Sequence, residues 1–203
     1  QRTLLGYLAG PDQEAARSAW SELVAQGEPA AQAALAGFAE APLSARRARA
    51  SLVREIAAEG TLERVLASLS DPDADVRRAL IGFCGDPRLR AEESFEPRVK
   101  ALRRAAQCDP DANVRQLALS VLARLDHDGA IATLEDLVEE LPAPAAALAA
   151  RALAERPRAK QRVVERVQQS FGASTARTAD GVLASLLSSG YGRARKTAPR
   201  VPS

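Results

Sequence analysis

The sequence predicts an all-α protein, an alpha-alpha superhelix (solenoid) of stacked antiparallel helix pairs, and three observations lead there. Apolar residues make up 46% of the 203 positions while aromatic ones make up only 3%, and alanine is abundant. Small side chains favour closely packed helices, whereas sheets favour β-branched and aromatic residues. A proline-opened, charged segment recurs with its two arginines, Arg77 and Arg115, 38 positions apart, a period typical of helical repeats. Between the breaks, apolar residues follow the three-and-four spacing of one helix face.

Taken in order, Gly10-Pro11-Asp12 opens a helix carrying Ala16, Ala19, Trp20, Leu23 and Val24. It stops at Gly27, and a second helix runs over about 28–40. A further pair covers about 43–58 and 62–69, with Gly60 between its members. Next comes Asp71-Pro72-Asp73-Ala74-Asp75-Val76-Arg77, which superposes on Asp109-Pro110-Asp111-Ala112-Asn113-Val114-Arg115. Asp71 and Asp109 are suited to cap a helix, and the proline to follow at its first position, where an N–H would be unpaired anyway. The first of these units continues through Val76, Ala79, Leu80 and Phe83, breaks, and resumes with Val99, Leu102 and Ala106. Its connector, about 85–96, is long and is expected to protrude. The second unit runs through Val114, Leu117, Val121 and Leu125, breaks at Asp126-His127-Asp128-Gly129, and resumes with Ile131, Leu134, Leu137 and Val138 until Pro142. Residues 143–155 and 158–171 form a pair without the motif, a last helix lies near 175–188, and Gly190 ends it.

These segments resemble the HEAT repeat family, whose units open with a similar Asp-Pro…Val-Arg helix followed by an antiparallel second helix. The resemblance is clearest over 65–141, with degenerate capping pairs on either side, as terminal repeats require. It implies one helical domain over 1–190. In that family the aspartate and arginine of successive units form a polar ladder between repeats, so the resemblance assigns that role to Asp71, Arg77, Asp109 and Arg115. The last stretch, 191–203, carries Arg193, Arg195, Lys196 and Arg200 with no acid and no apolar period, and reads as a basic disordered tail or linker.

The net charge is only +2, so any argument for nucleic acid or membrane must rest on local patches. Lysine occurs only at 100, 160 and 196, and the arginine and alanine bias suggests a high-GC bacterial genome. Methionine is absent, position 1 included, which points to an excised domain or a processed product. No apolar run approaches the ~18 residues of a membrane span, and no signal-peptide pattern opens the chain, so a soluble cytoplasmic protein is expected. Cys84 and Cys108 are too few for a disulfide framework and read as small buried residues at helix ends.

Catalytic chemistry has little to draw on. His127 is the single histidine, and three neighbours in one short loop rarely converge on one ion, so no metal is expected there. Gly-rich phosphate loops are missing, as are the paired His-Glu motifs of HEAT-like hydroxylases and the aromatic cluster of HEAT-like DNA glycosylases. The expectation is a protein without enzymatic activity and without cofactors.

Charge placement supplies the functional hint. The second helix of each HEAT pair usually lines the concave face. The one near 97–107 carries Arg98, Lys100, Arg103 and Arg104, and the one near 158–170 carries Arg158, Lys160, Arg162 and Arg166 against Glu165. Between them stands an acidic second helix with Glu135, Asp136, Glu139 and Glu140. A nucleic-acid groove favours continuous positive potential, whereas a striped surface suits a protein or peptide partner with complementary charges. The plain alternative is a set of solvated faces paired with their neighbours. The sequence therefore points to a protein-binding scaffold, with Arg98, Lys100, Arg103, Arg104, Arg158, Arg162 and Arg166 as candidate contacts. The rival is a nucleic-acid-binding module that uses the same arginines and the basic tail.

Overall fold

The computed structural model describes residues 2–154, and all regular structure among them is helical. The expected helices at 158–171 and 175–188, the tail at 191–203, and the candidate contacts Arg158, Lys160, Arg162 and Arg166 lie outside the described residues. The chain divides into two compact units, Gln1–Val121 and Leu122–Ser203.

The first unit opens with a short helix, α1 (Arg2–Tyr7), packed on α2 (Gln13–Gln26). Asp12 caps α2 by accepting the amides of Glu14 and Ala15, each at 3.0 Å. Gly27 then turns the chain at φ 66°, ψ −135°, a region that side chains disfavour, and α3 (Glu28–Leu35) follows at once. α3 is shorter than its sequence suggested; residues 36–40 form turns, with Phe38 buried. α4 (Leu43–Ile56) packs on α3 and, more extensively, on α6 (Ala74–Cys84). Between them runs α5 (Leu62–Ala67), with a 3-10 turn at either end. α6 buries Val76, Ala79, Leu80, Ile81 and Phe83. α7 (Glu92–Cys108) packs on α5 and α6, and α8 (Ala112–Arg124) repeats the opening turn of α6.

Two local expectations are corrected. The connector after α6 is not a protruding loop, because α7 begins at Glu92 and contains Pro97. Residues 85–91 are pinned instead. Arg88 grips Asp86 and donates to the Glu55 carbonyl at 2.8 Å, Leu89 is buried, and the Ala91 amide donates to Glu59. Glu92 and Glu93 suit the positive end of the new helix, and the Ser94 hydroxyl donates to the Ala91 carbonyl. Secondly, the helix caps sit two residues later than expected. Asp73, not Asp71, accepts the Val76 amide at 3.1 Å, and Asp111, not Asp109, accepts the Val114 amide at 3.0 Å. The proline of each motif therefore precedes the helix.

In the second unit, α9 (Asp128–Glu140) packs against α10 (Ala143–Ala154). His127 caps α9, its Nδ1 accepting the Gly129 amide at 3.1 Å. Ile131, Leu134, Leu137 and Val138 are buried on one face, at the spacing of a helix that covers a core. Leu134 is fully buried, so Leu134→Ala is expected to cost about 2–5 kcal/mol in urea melts. A neutral result would place another face of α9 in the core. No helix among the described residues is long and apolar enough to cross a membrane.

Candidate functional site

The repeated turn builds a polar seam through the first unit. In each copy the first aspartate folds back on the second: Asp71 accepts the Asp73 amide, and Asp109 accepts the Asp111 amide, both at 2.9 Å. This Asx-type turn leaves carboxylate lone pairs for an arginine of the preceding pair. Arg77 donates from Nε and Nη2 to the two oxygens of Asp109, each at 2.8 Å. The two side chains are only 8% and 7% exposed. The remaining Arg77 nitrogen, Nη1, donates to the carbonyls of Asp71 and Pro72 in its own turn. Arg115 makes the equivalent bonds to the carbonyls of Asp109 and Pro110.

One member of the seam was missed at the sequence level. Arg46, near the start of α4, donates to Asp71 Oδ2 at 2.8 Å and to the Ala41 carbonyl at 2.8 Å. Its signal was Pro42, which precedes α4 as Pro72 precedes α6, with an arginine four residues on where the motif places one five residues on. The aspartate before it is replaced by Ala41, so the motif is half there and escapes a match on Asp-Pro. Beside it the neighbouring Arg47 forks onto Asp73, with Nη2 2.6 Å from Oδ2.

These contacts set the protonation behaviour. The Arg47 hydrogen bond holds the Asp73 carboxyl down at about 2, against the opposing effect of burial. At Asp109 burial pushes upward, but the hydrogen bonds from Arg77 and the Asp111 amide outweigh it, so this carboxyl also lies below its usual range. Both groups bind protons more weakly folded than unfolded, where an aspartate titrates near about 3.9. Their contribution is therefore complete above about pH 4 and is lost as pH falls below it, for Asp73 toward about 2. The melting temperature is expected to fall steeply below pH 4, and Asp73→Asn, which keeps a capping side chain, should flatten part of that fall. A melting temperature as insensitive to acid in the parent as in the variant would contradict the pairing.

The arginines of α7 divide in a way their charge did not announce. Arg98 is 0% exposed and is no surface contact. Its guanidinium donates to the carbonyls of Cys84 at 3.1 Å, Leu89 at 3.0 Å and Ser94 at 3.2 Å, and lies 4.5 Å from the Phe95 ring centroid. Burial pulls its pKa down, while the nearby Cys84 thiol is pushed up to about 12. Arg103 is half-buried, and Lys100 and Arg104 are exposed. Cys108, expected in the core, is also exposed, at the last position of α7. On α9, Glu135 is buried, so the acidic face is narrower than its charges suggested.

Lys100, Arg104 and Cys108 share one side of α7, and that side borders a groove of about 820 Å³ facing α5. Leu66 and Leu69 line the opposite wall, and Ala101, Ala105 and the buried Ile81 complete the apolar lining. Arg77 and Asp109 line it as well, so the seam borders the groove. A second groove of about 580 Å³ lies one repeat upstream, between α5 and residues 35–40, bordered in the same way by Arg46 and Asp71. Ala67, Ser70, Asp71 and Pro72 line both. No group of three or more histidine, cysteine or acidic side chains placed to hold a metal occurs among the described residues.

Paired helices, repeated opening turns and an arginine–aspartate seam define a helical-repeat protein of the alpha-solenoid class. The family model of HEAT repeats matches residues 62–154, from α5 to the end of α10, and this stretch is similar to HEAT repeats. A search of curated proteins found no match to it.

Proposed function

We propose that this chain is a non-enzymatic scaffold that holds a protein or peptide partner along the second helices of its repeats, the surface solenoids present as their concave face. HEAT repeats generally mediate protein–protein interaction. The observation that carries the reading here is the groove between α5 and α7. It is open, mostly apolar in its lining and carries Lys100 and Arg104 on its α7 side, and it shares lining residues with a second groove one repeat away. Such a surface suits an extended chain, in which side chains alternate between two walls. The nucleic-acid alternative draws less support, because Arg98 is inside the fold and no aromatic side chain lines the groove for bases to stack on. The alanine- and arginine-rich composition fits a bacterial source.

Panning a random peptide library displayed on phage against the whole chain tests this reading. Peptides should be enriched and should bind the soluble protein in isothermal titration. A library that yields no binder, together with tight binding of a random DNA duplex that weakens steeply with salt, would replace the scaffold by the nucleic-acid module.

A further inference from the structure

We propose that the α5–α7 groove takes an extended acidic segment of the partner, with two carboxylates two residues apart that flank an apolar side chain. This rests on the scaffold reading and names the chemistry of the occupant. Lys100 and Arg104 are exposed, and neither forms an ion pair or hydrogen bond among the described residues. The two carboxylates at the groove are committed elsewhere, Asp71 to Arg46 and Asp109 to Arg77. Glu96, one turn before Lys100, does not line it. The groove thus presents two uncompensated positive charges beside an apolar wall.

Spacing then selects the ligand. Lys100 and Arg104 stand four residues apart on α7, which separates them by about 6 Å along the axis. In an extended segment, residues two apart point to the same side and lie about 6.6 Å apart. Two acidic side chains at that interval meet both cations when the segment runs alongside α7. The residue between them points to the other wall, where Leu66 and Leu69 favour an aliphatic side chain. A Glu-Leu-Glu core satisfies all three contacts at once. A phosphate backbone offers the charges without the apolar residue between them, so the groove favours protein.

Fluorescence anisotropy with the whole chain and a labelled Glu-Leu-Glu peptide in a Gly-Ser frame provides the test. Two rim ion pairs together should give about a tenfold preference over Gln-Leu-Gln. The K100E/R104E variant should lose that preference and favour Lys-Leu-Lys. Because neither cation bonds within the fold, the variant should keep its circular-dichroism melt, and K100Q/R104Q serves as the neutral control should it not. Equal binding of the acidic and neutral peptides, or a preference that survives both variants, overturns the proposal. So does a labelled DNA duplex that outcompetes the acidic peptide. If the panned peptides bind both variants as well as the parent, the scaffold reading stands and the groove assignment falls.

Discussion

Arg77→Ala is expected to destabilise the first unit by about 3 kcal/mol or more, the range for removing one member of a nearly buried, bidentate pair. The change deletes four hydrogen bonds. Two go to Asp109 and two to the carbonyls of Asp71 and Pro72. It leaves the Asp109 carboxylate, largely shielded from water, without its cation. A double-mutant cycle with Asp109→Ala isolates the pair, and coupling of about 1–3 kcal/mol is expected between such neighbours. Arg115→Ala provides the contrast. Among the described residues Arg115 donates only to the carbonyls of Asp109 and Pro110, so its loss should cost clearly less. Urea denaturation followed by circular dichroism measures all three. Equal costs at Arg77 and Arg115, or a cost below about 1 kcal/mol at Arg77, would show that the seam contributes little to stability.

Arg98→Ala is expected to cost about 3–5 kcal/mol, by leaving buried carbonyls unpaired and opening a cavity. Three carbonyls depend on this guanidinium, those of Cys84 at the end of α6, Leu89 in the connector and Ser94 in the first turn of α7. A helix C-terminus carries partial negative charge, so the cation is placed where the field of α6 favours it without a carboxylate partner. Geometry matters more than charge here. Three acceptors in different directions suit a planar fork, and Arg98→Lys, a single point charge, should recover less than half of the loss. Amide exchange across 85–91 should rise sharply in the alanine variant. A melt unchanged from the parent would mean that the connector is held without Arg98.

Both predictions concern residues that stood in the sequence with clear chemistry, yet only one had a legible place. Arg77 and Asp109 sit in a repeated motif, and the repeat alone marked them as structural. What the motif could not show was that its first aspartate turns back to receive an arginine while the second caps the helix. Both are aspartates beside a proline, and only the hydrogen bonds separate their tasks. By charge alone Arg98 groups with Lys100, Arg103 and Arg104 in one basic face, whereas helical period separates it from them. Arg98, Leu102 and Ala106 are four residues apart and all buried, while Lys100 and Arg104 occupy the groove side. The same helical spacing that identified the other cores would have placed Arg98 inward. The start of α7 was obscured by Pro97, which reads as a first-turn proline but stands in the sixth position of the helix. The groove was not legible at all, since it depends on how α5 and α7 face each other, and α5 is a short helix between two 3-10 turns.

Hydrogen–deuterium exchange of the whole chain, with and without a saturating panned peptide, shows whether a partner lies along α5 and α7. Protection is expected to rise over 62–70 and 92–108, strongest around Leu66, Lys100 and Arg104, with the remaining helices unchanged. Protection confined to other segments, with these two helices exchanging as in the free protein, would contradict it.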